Sequence, residues 1–174
     1  MGGLDKSRLR LPSMQTFADR QHTLLSSLCQ DIWFLGHSLS AESVNSERTL
    51  SDLPGEFGPL AGIASGLRRV SDRLLVIPCD LPFLGHGVLA QLVNTVGSAP
   101  IYAATADRIH PLVSVWHKSH LPAVALGARE SRSTRSVLRD LNGQAVIFED
   151  ERDFFNVNTP EALTSVYTDL KKTH

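Results

Sequence analysis

Short apolar runs alternate along this chain with stretches whose apolar residues recur every three or four positions, the pattern of strands interleaved with amphipathic helices. Phe17, Leu24, Leu25 and Leu28 share one side of a helix predicted over 17–28. Asp31-Ile32-Trp33-Phe34-Leu35 predicts a buried strand, whereas 38–52 is polar, lacks periodicity and reads as a surface excursion. Pro59 suits the first turn of a helix beginning at Gly58. A strand at Leu74 to Ile77 and a helix around His86 to Val96 follow. Two further strands, Ile101 to Thr105 and Leu112 to Trp116, are joined by a link that suits a hairpin better than a crossover helix. Helical patterns return at His120 to Leu126 and Thr134 to Leu141, then a strand at Ala145 to Phe148. A last helix, Pro160 to Leu170, has Thr159 as N-cap and Glu161 in its first turn. This alternation predicts a three-layer α/β sandwich on a mainly parallel sheet.

The 174 residues predict one domain over 1–174, large enough for a substantial core. A net charge of −1 gives no support for nucleic-acid or acidic-membrane binding, so neither is expected as a partner. No apolar run reaches membrane-spanning length. Cys29 and Cys79 lack metal-ligand spacing and suit free thiols in a reducing compartment, which points to the cytoplasm.

The chemistry gathers at punctuated segments. Leu75-Val76-Ile77 runs into Pro78-Cys79-Asp80-Leu81-Pro82, which delivers a carboxylate at the carboxyl end of a buried strand. Ligands of open α/β sheets sit there. Asp80 is therefore placed to hold a hard cation such as Mg²⁺, with substrate phosphates completing its coordination; alternatively it caps the following turn. Gly2-Gly3-Leu4-Asp5-Lys6 offers close backbone approach and an ammonium group for phosphate, or is simply a flexible end. Gly58-Pro59-Leu60-Ala61-Gly62 sets small residues at a helix N-terminus, where N–H groups favour an anion; tight helix–sheet packing explains them equally well. Asp52 could accept from a purine edge or stand as a solvated carboxylate. Asn156 and Asn158, one residue apart, project to one side of an extended segment before a helix, although Asn158 could simply belong to the capping turn. Arg108, His110, Arg129, Arg132 and Arg135 are cations available to phosphate, although His110 before Pro111 could equally be structural.

Taken in order, Met-Gly-Gly-Leu-Asp-Lys at 1–6, Gly-Pro-Leu-Ala-Gly at 58–62, Pro-Cys-Asp-Leu-Pro at 78–82, Arg-Ile-His-Pro at 108–111 and Asn-Val-Asn-Thr-Pro-Glu at 156–161 resemble the molybdenum cofactor guanylyltransferase (MobA) family. The resemblance implies a Rossmann-like nucleotidyltransferase fold that transfers GMP from GTP to molybdopterin-bound molybdenum cofactor and releases pyrophosphate. It implies that Asp80 and Lys6 are catalytic, with Asp80 on Mg²⁺ and Lys6 on the triphosphate. Lys6, Asp52, Gly58 and Asp80 would hold the nucleotide; Asn156, Asn158, His110 and Arg135 would face the molybdopterin acceptor. Cofactor-delivery proteins and molybdoenzymes follow as downstream partners. Members of the family begin with a hydrophobic strand running into Leu-Ala-Gly-Gly ahead of the Met-Gly-Gly segment. Against that pattern this sequence implies a sheet without its central first strand. Three alternatives stay open: a cytidylyltransferase for the same cofactor, a sugar-phosphate nucleotidyltransferase, and a catalytically impaired nucleotide-binding paralogue.

Overall fold

The computed structural model describes residues 16–35 and 49–157. Thr16 opens the first helix, α1 (Phe17–Ser26), through a capping box: its hydroxyl accepts from the Asp19 N–H at 3.1 Å and the Asp19 carboxylate accepts from the Thr16 N–H at 3.1 Å. Then come β1 (Phe34–Leu35), β2 (Thr49–Leu50), α2 (Gly58–Arg69), β3 (Arg73–Val76), α3 (His86–Asn94), β4 (Ile101–Ala104), β5 (Ile109–His117), α4 (Leu121–Arg129), α5 (Thr134–Asp140) and β6 (Gln144–Ile147). The expected helix over 160–170 lies outside the described residues.

The four longer strands form one sheet in the order β3-β5-β4-β6. β5 runs antiparallel to both its neighbours while β4 pairs with β6 in parallel, so β3, β4 and β6 share one direction. The short link after β4 does make a hairpin, closed by the Thr105 N–H donating to the Arg108 carbonyl at 2.8 Å. Successive side chains on a strand point to opposite faces, and the burial follows that period. Leu74, Val76 and Trp116 face a core completed by α2, α4 and α5. Leu75, Ile101, Val113 and Val115 face the other core, completed by α3, the leucines of α1 and Phe154. Helices on both faces of a predominantly co-directional sheet make the three-layer α/β sandwich that the periodicity predicts.

The polar stretch 38–52 is not wholly a surface excursion. Its end, Thr49–Leu50, pairs in parallel with Phe34–Leu35 as a separate two-stranded sheet. Pairing with a distant strand supplies the hydrogen bonds, a source that local periodicity does not reveal. A cavity of about 970 Å³ lies between the two sheets, lined by 32–35 on one side and 73–80 on the other.

Candidate functional site

β3 carries the chain out of the core into Pro78-Cys79-Asp80-Leu81-Pro82, where two prolines contribute no N–H and a buried strand can go no further. The turn is held from outside itself. The Val157 N–H donates to the Asp80 carbonyl at 2.9 Å, and the Asn156 side-chain amide donates to the Asp80 carboxylate at 2.9 Å. Asp80 is half-buried and lines the large cavity together with Pro78 and Cys79. A carboxylate and an amide that lie 76 positions apart in sequence therefore share one hydrogen bond.

The segment leading to Asn156 passes through a 3₁₀ turn, Glu151–Phe154. Phe154 is buried, and the His110 ring stacks on it with centroids 4.2 Å apart and planes inclined by 18°. Burial, and then the nearby Arg108 charge, push the His110 pKa below its ordinary 6.5, against a smaller opposing effect of Glu151. The shift favours the neutral ring, which can serve as a hydrogen-bonding group. Its Nε2 is buried and no described residue pairs with it.

On the other side of the β3 end, Asp52, Gly58, Pro59 and Pro78 line a smaller cavity of about 260 Å³. Gly58 adopts φ +69°, a left-handed conformation costly for residues with a Cβ, so a glycine is required where α2 begins. Gly62 serves packing instead, because a Cβ there would lie 3.3 Å from the Leu35 Cβ. The two readings of the Gly-Pro-Leu-Ala-Gly segment thus divide between its two glycines. The loop ahead of α2 is fastened by Glu56, whose side chain is 1% exposed and receives both Arg68 amino groups at 2.9 and 2.6 Å. The Phe57 N–H donates to the Ala128 carbonyl at 3.1 Å, tying the same loop to α4.

Of the sequence-predicted residues, the structure joins Asp80 and Asn156 by a hydrogen bond, stacks His110 on Phe154 two residues before Asn156, and sets Asp52 and Gly58 around a neighbouring cavity that shares Pro78 with the larger one. Arg135 stays exposed on the first turn of α5, a helix packed against α4 and β5. Arg132 is drawn into an ion pair with Asp140. Lys6 and Asn158 lie outside the described residues. Sequence reasoning missed Glu56, Arg68, Arg20 and Gln21. The last two donate to the Pro82 and Leu81 carbonyls, and nothing local in the sequence signals either bond.

Among the described residues no three His, Cys, Asp or Glu side chains gather as a metal cage. A lone strand-end carboxylate fits a divalent cation that takes its other oxygens from substrate phosphate and water, the usual habit of Mg²⁺. No described helix is long and apolar enough to cross a membrane.

Comparison with known proteins agrees with this layout. The family model described as the MobA-like NTP transferase domain matches residues 1–146. A molybdenum cofactor guanylyltransferase of Pseudomonas paraeruginosa is 32% identical over 171 residues, covering 94% of this chain and 86% of that protein. One from Pseudomonas fluorescens is 37% identical over 127 residues, covering 68% of this chain and 63% of its own length. Among solved structures, molybdopterin-guanine dinucleotide biosynthesis protein A of Archaeoglobus fulgidus superposes with a TM-score of 0.79 at 22% identity, covering 98% of this chain and 92% of that one. The 2-C-methyl-D-erythritol 4-phosphate cytidylyltransferase of Thermus thermophilus shares the fold at a TM-score of 0.66 and 16% identity, covering 95% and 94%.

Proposed function

The chain belongs to the MobA-like NTP transferase domain family, and from that premise we propose that it transfers GMP from GTP to molybdopterin-bound molybdenum cofactor, with Mg²⁺ as the metal. The observation that carries the proposal is the Asp80–Asn156 hydrogen bond at the carboxyl end of β3, beside the cavity of Asp52 and Gly58. On this reading Asp80 serves the metal, the cavity of Asp52 and Gly58 takes part of the nucleotide, and Asn156 belongs to the segment matching the family's acceptor side.

The chemistry is a displacement at the α-phosphorus. A terminal phosphate oxygen of molybdopterin forms the new P–O bond as the bond to the β-phosphate oxygen breaks, and pyrophosphate leaves with the electron pair. The attacking phosphate is already anionic near neutral pH, so positioning and charge stabilisation replace a general base. Asp80 would hold Mg²⁺, which would supply charge stabilisation for the departing pyrophosphate. Asn156 orients the Asp80 carboxylate through its amide. Gly58 and the first turn of α2 present backbone N–H groups toward the nucleotide, and Asp52 faces the base. Lys6 shares the charge of the triphosphate. His110, its pKa lowered and its ring stacked on Phe154, offers a hydrogen bond to the acceptor.

Calorimetric titration with Mg²⁺ and each of GTP, ATP and CTP tests the nucleotide assignment. GTP binds best on this reading. Equal or tighter CTP binding moves the protein to cytidylyl transfer, and binding of GTP without any turnover favours the impaired paralogue.

A further inference from the structure

The turn that carries Asp80 is gripped by α1, a helix remote from every motif identified in the sequence. Three consecutive carbonyls of the turn have donors. Asp80 receives the Val157 N–H at 2.9 Å; Leu81 receives the Gln21 side-chain amide at 2.7 Å and the Leu84 N–H at 3.2 Å; Pro82 receives the Arg20 Nε–H. Three of these four donors come from outside the turn, so the segment is tied to its surroundings through its carbonyls. The capping box of Thr16 and Asp19 fixes the start of α1 within one turn of Arg20 and Gln21, so both side chains issue from a rigid support.

Gln21 is 3% exposed, yet no described residue donates to its Oε1. A half-satisfied amide is a poor choice for folding alone, since an apolar side chain of similar shape would avoid burying an unpaired oxygen. Leu81 needs no amide either, because Leu84 already supplies its carbonyl with an N–H. What Gln21 adds is location: it ties the backbone one residue beyond Asp80 to a helix.

We infer that Gln21, assisted by Arg20, is a positioning residue that sets the Asp80 carboxylate for the metal–nucleotide complex. This rests on the assignment of Asp80 as the metal ligand. Groups that orient metal ligands without touching the metal typically contribute ten- to a hundred-fold in metal affinity or activity. Gln21→Met keeps the volume, leaves the Leu81 carbonyl paired with Leu84, and removes the tether.

The test follows Mn²⁺ by electron paramagnetic resonance in the presence of saturating GTP, scored against GTP alone, alongside thermal unfolding and kcat and KM. The full chain is compared with Gln21→Met, Arg20→Gln and Asp80→Asn. Gln21→Met melts at or above the parent temperature, while its Mn²⁺ affinity and kcat each fall roughly tenfold and KM for GTP changes little. Arg20→Gln shows the same pattern more weakly, and carries the test if Gln21→Met does not fold. If Asp80→Asn loses Mn²⁺ while both α1 variants keep the parent affinity and kcat, the positioning inference is overturned alone. If Asp80→Asn binds Mn²⁺ as the parent does, the metal assignment fails and the inference fails with it.

Discussion

Replacing Arg68 with methionine should cost more than its surface location suggests, and the loss should appear in nucleotide binding as well as stability. Arg68 makes two charge-assisted bonds to Glu56, at 2.9 and 2.6 Å. Its own side chain is 27% exposed, but that of Glu56 is 1% exposed. Removing the arginine strands a carboxylate that water hardly reaches. The remaining cation, Arg129, stands 3.7 Å away with 64% of its side chain exposed. Breaking one side of a buried pair typically costs ~3–5 kcal/mol, and partial compensation by Arg129 sets the expected value near the lower end, about 3 kcal/mol. For a chain of this size that corresponds to a fall in midpoint of roughly 6–12 °C. The converse Glu56→Gln leaves a cation that can rotate into solvent, so about 1–2 kcal/mol is expected. Urea unfolding of both single variants and the double variant measures the coupling directly. Glu56 lies two residues before Gly58, so Arg68→Met should also weaken GTP binding by calorimetry. A cost below about 1 kcal/mol for Arg68→Met, or perfectly additive single variants, would refute the reasoning.

Two other variants probe separate parts of the account. Asn156→Ala removes the amide that donates to the Asp80 carboxylate, so it should lower kcat about tenfold and raise the Mg²⁺ concentration needed for half-maximal rate. An unchanged Mg²⁺ requirement would confine Asn156 to the acceptor. His120 accepts the His117 N–H at Nδ1 and turns Nε2 to the Ser98 carbonyl at 2.8 Å. Burial, and then His117, depress its pKa below 6.5, against the raising effect of Ser98. Its folded value is therefore below its unfolded one: the stability it contributes is fully present above about pH 6.5 and is lost as pH falls through the folded value. Chemical unfolding between pH 5 and 8 should show less pH dependence in His120→Gln, and an identical slope in both proteins would contradict this.

The architecture was legible because burial is periodic. Strands with alternate residues in opposite cores, such as Leu74 and Val76 against Leu75, leave apolar runs that local reading detects. The hairpin was legible from the length of its link, and Asp80 from its place after an apolar run. Other features depend on partners far along the chain. β2 is two residues of a polar stretch and exists through pairing with β1. Glu56 looks like a loop carboxylate until the fold seals it against Arg68. Gln21 interrupts the apolar side of α1 without any local sign that its amide reaches Leu81, 60 positions on. His110 was legible as a candidate, but the lowering of its pKa arises from burial that only the packed structure creates.

The most direct test of the central claim is product analysis: the full chain is incubated with Mg²⁺, molybdopterin-bound molybdenum cofactor and equal concentrations of GTP, CTP and ATP, then the dinucleotide and pyrophosphate are quantified. The account predicts guanine dinucleotide and pyrophosphate in equal amounts. It also predicts that Asp80→Asn nearly abolishes both while its melting temperature stays within a few degrees of the parent. A cytosine dinucleotide as main product, or guanylyl transfer undiminished in Asp80→Asn, would contradict it.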